Sequence, residues 1–298
     1  MNKHVHNIVV IGKRGQVSFA LSQKLKNKNL KFLSSKDIDF LHPEKIIDRI
    51  SQYNPSTIIN AAAYTNVDLA EEEKEDADKI NYKAIIELCK YCETNKVPLI
   101  HFSTDYVFDG EKEEYVESDK RNPINFYGKT KLKAEKIIEE SLDHFLILRI
   151  SWVFSNIGNN FVKTMIKNVH LDNMNIISDQ QGKPTSAEFC AEVVNEILEP
   201  FIKRKTFSGI YHLTNSTKLT WLSFAKKIFQ IVEKNFSIKT PTLNSIQSSQ
   251  YDSTAIRPKN SVLSTHKIEK VFGIKIPPID KYLEQSVITI FKSSNKLK

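Results

Sequence analysis

The sequence predicts an α/β protein, a doubly wound parallel sheet with helices on both faces. Three observations carry the prediction. Short apolar strands alternate with helix-like stretches through the first 150 residues, the connections between them are short, and the first strand runs into glycines just ahead of a helix. Strands are expected at Asn7–Ile11, Lys31–Leu33, Thr57–Asn60, Leu99–Ser103 and Phe145–Ile150, each rich in Ile, Val, Leu or Phe. Helices are expected between them at Gly15–Lys26, Pro43–Tyr53, Asp76–Thr94 and Phe126–Ser141, with Pro43 suited to a first turn. After Ile150 the rhythm changes. A short helix at Asn160–Lys167, a strand at Met174–Ser178, a helix at Ser186–Lys203 and a strand at Gly209–Leu213 are expected. An amphipathic helix after Leu219, a polar loop at Leu243–Ser253 and a last helix from near Pro278 follow.

The composition narrows the function classes. The chain has 298 residues, 40% hydrophobic, enough for a large core and too apolar for global disorder. Lys and Arg outnumber Asp and Glu by 43 to 35, a net charge of +8 that suits a polyanionic partner. The charge does not choose between nucleic acid and a diphosphate ligand; the basic residues are scattered and make no arginine-rich block, so the excess partly reflects a lysine-rich composition. Three cysteines are too few for a disulfide framework, no leader-like segment is expected, and no stretch approaches a membrane span, which together suggest the cytoplasm. Cys89 and Cys92 form a C-x-x-C, but their i, i+3 positions in a helical pattern point to core packing and not to a redox pair. The eight histidines are dispersed and no H-E-x-x-H occurs, so no protein-ligated metal is expected.

Four sites of chemistry stand out. In "NIVVIGKRGQVS" Gly12 and Gly15 lie at a strand-to-helix turn, where backbone N–H groups and the helix dipole suit a pyrophosphate; a plain tight turn is the alternative. Ser18 stands where a third glycine would allow close packing. The second strand ends in "SSKDIDF", so Lys36 with Lys13 and Arg14 favours a 2′-phosphate and hence NADP, against Asp37 and Asp39 close by. Small residues Ala61, Ala62 and Ala63 at the third strand end, and Ser103, Thr104 and Asp105 at the fourth, lie at the edge where such sheets bind ligands.

The fourth site is "NFYGKTKLKAE". It is not a phosphate loop, because Pro123 occupies the position of the required first glycine and has no N–H. Tyr127 and Lys131 are i, i+4 on one helix face, and an ammonium beside a phenol favours phenolate. Gly128 and Thr130 are read as spacers and Lys129 as solvated.

The blocks "GKRGQV", "NAAAYTNVD", "STDYVFDG", "YGKTKLKAE", "RISWVFSNIGNNFVKTM", "SDQQGKPT" and "RPKNSVL" run in order from residue 12 to 263. With them the chain resembles the extended short-chain dehydrogenase/reductase family, in the branch acting on nucleotide-linked sugars. That resemblance implies a Rossmann-type domain at 1–155 and a smaller α+β substrate-binding portion at 156–298, of which 174–213 packs back on the sheet. It implies NADPH-dependent reduction of a dTDP-4-keto-6-deoxy sugar, with dTDP-L-rhamnose for surface polysaccharide as the favoured product. Thr104, Tyr127 and Lys131 take the place of the catalytic triad. Gly12, Arg14, Gly15, Gln16, Val17, Asp39, Phe40, Ala62, Ala63, Tyr64, Thr65 and Phe102, with Tyr127 and Lys131, are the expected cofactor contacts. Thr104, Asp105, Trp152, Asn160 and Arg257 are the expected substrate contacts; Trp152 as a core aromatic and Arg257 as a surface charge are the alternatives. Ile150 stands where the family commonly has a polar residue. NADH in place of NADPH, a divalent ion such as Mg, a homodimer, another nucleotide-linked keto sugar and a silent dinucleotide-binding regulatory subunit stay open.

Overall fold

The computed structural model describes residues 7–25 and 29–295. Its first half contains β1 (Ile8–Ile11), α1 (Gln16–Lys24), β2 (Leu30–Leu33), α2 (Ile46–Ser51), β3 (Thr57–Asn60), α3 (Leu69–Glu72), α4 (Lys74–Asp78), α5 (Ala84–Asn95), β4 (Leu99–Thr104), α6 (Phe126–Ser141) and β5 (Phe145–Ile150). There follow β6 (Val153–Phe154), α7 (Phe161–Lys167), β7 (Asn173–Ile177), β8 (Gln181–Gly182), β9 (Thr185–Ser186), α8 (Ala187–Lys203) and β10 (Gly209–His212). The last elements are β11 (Leu219–Thr220), α9 (Trp221–Phe236), β12 (Thr242–Ile246), α10 (His266–Phe272) and α11 (Asp280–Asn295). The expected end of the first helix, Lys26, lies outside the described residues.

Six strands form one parallel sheet in the order β2-β1-β3-β4-β5-β10, which is the expected doubly wound α/β architecture. The inner strands β1, β3 and β4 are buried along their whole length because both faces of the sheet are covered. Ile8 and Val10 of β1 enter one core while Val9 and Ile11 enter the other, the period of two that a strand imposes. The first core lies under α1, α7, α8, α9 and α11; the second lies under α2, α5 and α6. Cys89 and Cys92 are buried in the second core as expected, and burial pushes the Cys89 thiol up to about 12.

Ser186 caps α8 by accepting from the backbone N–H groups of Glu188 and Phe189, and the apolar face of α8 packs on α1. β10 pairs with β5 at the edge of the main sheet, whereas β7 pairs with β12 away from it. That second pairing corrects the expected polar loop at Leu243–Ser253, whose first residues are strand. Its sequence, Thr-Leu-Asn-Ser-Ile, is mostly exposed, so a pairing strand there leaves little apolar signal. The expected helix at Asp76–Thr94 is interrupted by a π turn at Lys79–Lys83, and α3 and α10 are short helices absent from the expectation.

Candidate active site

Across the sheet the chain winds outward from β1 through α1 to β2, then crosses through α2 to β3 on the other side of β1. The carboxyl ends of β1 and β3 therefore border the crevice where such sheets bind ligands. Gly12 ends β1 with φ +105°, and a Cβ there would lie 2.7 Å from the Ala62 nitrogen and 2.8 Å from the Ala61 carbonyl carbon. The amides of Gly12 and Lys13 both donate to the Leu33 carbonyl at 3.0 Å, which ties the turn to the end of β2. Gly15 is the N-cap of α1 and makes no side-chain capping bond, so the first-turn N–H groups have no side-chain acceptor. This cradle of close backbone and uncapped amides fits a dinucleotide pyrophosphate.

Around the cradle, the expected cofactor residues differ in what their side chains do. The Gln16 Oε1 accepts from the Ser155 hydroxyl at 2.9 Å and the Asn160 amide at 2.8 Å, while Val17 packs in the core. Lys13, Arg14 and Lys36 are exposed at the ends of β1 and β2. Asp37 accepts from the Ser34 amide and hydroxyl, both at 2.8 Å, and those bonds hold its carboxyl below the ordinary range, with Lys13 adding to the effect. The Asp39 carboxylate accepts from the Leu41 amide, and Phe40 is buried. Ser18 is fully buried and its hydroxyl has no partner within the described protein.

The helix α6 brings the second half of the site. Asn125 caps it by accepting from the Gly128 amide at 2.8 Å. A Cβ on Gly128 would fall 2.2 Å from the Tyr106 carbonyl oxygen, so this glycine lets α6 press against the end of β4. Thr130 is fully buried; it donates to the Tyr127 carbonyl at 2.8 Å and accepts from the Asn81 amide at 3.0 Å. Gly128 and Thr130 are thus not spacers, as the sequence reading had them, but the contacts that seat Tyr127. Asn81, in the π turn, also accepts from the Tyr64 amide and donates to the Tyr64 carbonyl, binding the third strand end to α6.

Tyr127 and Lys131 are both buried on one face of α6, and Thr104 lies at the end of β4. The Thr104 hydroxyl donates to Asp105 at 3.0 Å and accepts from the Tyr106 amide at 3.2 Å. The Lys131 Nζ donates to the Phe102 carbonyl at 2.7 Å and sits 3.0 Å from the His101 Nε2. Proton affinities here depart from the expectation that Lys131 holds Tyr127 low. Burial raises the phenol's pKa, the Thr104 side chain draws it down, and Asp105 raises it again. Burial lowers Lys131 to about 8, with Glu135 working in the opposite sense. Burial pushes Asp105 up to about 7 against the Ser261 and Thr104 side chains, and its Oδ2 has no hydrogen-bond partner among the described residues.

Behind the site, α6 carries a buried ion pair. Glu135, one turn beyond Lys131, accepts from Arg149 Nε at 2.9 Å, Arg149 Nη2 at 2.7 Å and the Ser103 hydroxyl at 2.6 Å. Arg149 reaches on to the His212 Nε2 at 3.2 Å, and Arg121 closes on Glu135 from outside. None of His101, Glu135, Arg149 or Asn81 was singled out from sequence. A His and an Arg inside the apolar runs "LIHFST" and "FLILRI" were the available signal.

The expected substrate residues are spread along the C-terminal side. Trp152, at φ +47°, stacks on Trp221 with centroids 3.5 Å apart and planes 4° from parallel. Gly182 lies against that indole, where a Cβ would be 2.5 Å from the Trp152 Cε2. Asn160 caps α7 through its Oδ1 and donates from Nδ2 to Gln16 and to the Ser155 and Ile157 carbonyls. Arg257 pairs with Asp68 at 2.5 Å, in the loop after β3; burial works upward on that carboxyl, but Arg257, the Ala255 amide and Ser253 hold it at about 2. Among the described residues no group of three or more His, Cys, Asp or Glu side chains could hold a metal ion. Among them, too, no helix is long and apolar enough to cross a membrane.

A glycine turn at the switch point of a parallel sheet, together with a buried Tyr and Lys one helical turn apart on α6, is the arrangement of the extended short-chain dehydrogenase/reductases. Comparison with known proteins narrows that class. The family described as RmlD substrate binding domain matches residues 6–291, and the chain belongs to it. It is 33% identical over 296 residues to a dTDP-4-dehydrorhamnose reductase of Salmonella typhimurium, covering 97% of this chain and 99% of that protein. It is 36% identical over 281 residues to a protein of the same name from Escherichia coli strain K12, covering 91% and 93%. The crystal structure of a dTDP-4-dehydrorhamnose reductase from Bacillus anthracis in complex with NADP superposes with TM-score 0.84 at 28% identity, covering 97% and 99% of the two chains.

Proposed function

We propose that the chain is an NADPH-dependent reductase of a dTDP-linked 4-keto-6-deoxy sugar, with dTDP-4-dehydro-L-rhamnose as substrate and dTDP-L-rhamnose as product. The observation that carries this reading is the buried Tyr127–Lys131 pair beside Thr104, together with the uncapped glycine turn at the end of β1. The relatives' names support the reaction and substrate, and the NADP-bound relative supports the cofactor.

Bound in the crevice, the nicotinamide would supply hydride to the ketone carbon. The chain's own groups do the rest. First-turn amides of α1 would hold the pyrophosphate, and exposed Lys13, Arg14 and Lys36 suit a 2′-phosphate over a bare ribose. The Thr104 hydroxyl would donate to the carbonyl oxygen, leaving its present bond to Asp105. Tyr127 would give its proton to the developing alkoxide, and Lys131, as ammonium, would favour the resulting phenolate. Residues 1–155 would hold the cofactor and residues 156–298 most of the sugar nucleotide, with Asp105 and Trp152 nearest the sugar. Asn160 and Arg257 would have to exchange their present partners to reach a diphosphate. Three free, buried cysteines support a reducing compartment, the cytoplasm.

The test is oxidation of NADPH, and separately of NADH, with dTDP-4-dehydro-L-rhamnose, followed by identification of the product sugar. Tyr127→Phe is expected to lower kcat by a factor of about 10²–10⁴ and leave NADPH affinity within a few fold. Unchanged turnover in that variant would overturn the role of Tyr127.

A further inference from the structure

His101 is fully buried between two other side chains of the site. Its Nε2 lies 3.0 Å from the Lys131 Nζ, and its Nδ1 lies 3.1 Å from the Asn60 Nδ2. The Asn60 amide cannot turn over freely, because its Oδ1 accepts from the Ala62 backbone N–H at 3.1 Å, and a backbone N–H can only donate. The amide therefore presents N–H to the imidazole, so Nδ1 must accept and the ring proton must be on Nε2. That proton points at Lys131. An amine accepts it through its lone pair and still donates an N–H to the Phe102 carbonyl; an ammonium has no lone pair and would set donor against donor.

We propose that His101, with its tautomer fixed by Asn60, is a positioning residue for Lys131: its Nε2–H is accepted by the amine and opposes the ammonium, so it lowers the pH at which Lys131 gives up the charge that favours the Tyr127 phenolate. This inference rests on the reductase reading for its functional consequence, but not for its geometry. The surroundings agree with it. Burial lowers the proton affinity of His101, so the imidazole is neutral, and burial lowers Lys131 to about 8. The charged and titratable groups facing Lys131 are His101 from β4, and Tyr127 and Glu135 from α6. Glu135 is in turn neutralised by Arg149 from β5 and by Arg121. From the π turn comes only the amide of Asn81, engaged with Thr130.

The tautomer can be read directly by long-range proton–nitrogen correlation of histidine labelled with ¹⁵N, with the His101 signals assigned by their loss in His101→Leu or their displacement in Asn60→Asp. The expected result is an N–H-type Nε2 and a bare Nδ1 in the wild type, exchanged in Asn60→Asp, where a carboxylate accepts from Nδ1–H. A wild-type Nδ1–H tautomer, or an imidazolium at neutral pH, would overturn the proposal. Lys131 is followed in the same samples by its ¹³Cε titration. Asn60→Asp frees Nε2 to accept from the ammonium, so the lysine should titrate about one pH unit higher, a tenfold gain in proton affinity. The alkaline limb of kcat should move up with it while NADPH Kd stays within threefold; an unmoved titration would equally refute the coupling. Absence of turnover by the wild type with any keto-sugar nucleotide would sink the reductase reading alone, since both resonance measurements need no substrate.

Discussion

Replacing Glu135 by Gln strips one charge from an ion pair in which neither side chain has any exposed surface. The carboxylate receives two bonds from Arg149, one from Ser103 and one from Arg121, so a neutral amide leaves the Arg149 guanidinium buried without its counter-charge. An amide also turns one acceptor into a donor facing those nitrogens. Breaking one side of such a pair costs about 3–5 kcal/mol. For a chain of this size that is a fall in melting temperature of roughly 5–8 °C. Burial works upward on the Glu135 pKa, but Arg149, Ser103 and Arg121 outweigh it and hold the group below its ordinary 4.5. A lowered carboxyl contributes stability that is present above its unfolded value and lost as pH falls through its folded one. The wild type should therefore lose this advantage over Glu135→Gln progressively below about pH 4.5. Thermal melts followed by far-ultraviolet circular dichroism from pH 3.5 to 8 measure both effects. The double variant Glu135→Met, Arg149→Met should be more stable than Glu135→Gln, because it leaves no orphaned charge. A loss below about 1 kcal/mol in Glu135→Gln at pH 7, or a double variant no better than the single, would refute the reasoning.

Other outcomes follow from single contacts. Gly12→Ala forces a Cβ to within 2.8 Å of the Ala61 and Ala62 backbone at a positive φ, so it should abolish NADPH binding in calorimetry and lower the melting temperature. Ser18→Ala removes a buried hydroxyl without a partner among the described residues and should stabilise the protein by about 1 kcal/mol, read as a rise of roughly 2 °C. Asp105 has a folded pKa raised to about 7, so its contribution to stability is complete below its ordinary 3.8 and is lost as pH rises through 7. Asp105→Asn should accordingly flatten the decline of melting temperature between pH 4 and 7.

The strands Thr57–Asn60 and Phe145–Ile150 and the helix Phe126–Ser141 are legible to the residue, because each combines an apolar period with a clear boundary such as Asn125. Strand β12 is not, since pairing of a polar, half-exposed segment with β7 depends on a partner nearly 70 residues away. The glycine turn and the Tyr127–Lys131 spacing are local and could be read. What surrounds them could not: the His101–Lys131 contact joins residues 30 apart, and the Arg149–His212 contact residues 63 apart. For the same reason the protein partners of Asn160 and Arg257, Gln16 for the one and Asp68 for the other, are not legible in the sequence.

The chain has two tryptophans, and both stand in the Trp152–Trp221 stack. The whole indole signal of the protein therefore comes from one spot, where the stretch leaving β5 meets the start of α9 over Gly182. With the rings 3.5 Å apart and nearly parallel, the tryptophan fluorescence of the chain reports on that one stack, so the native protein is already labelled. A ligand that parts the rings, or a lesion that loosens the C-terminal elements from the sheet, can be watched there without attaching a dye.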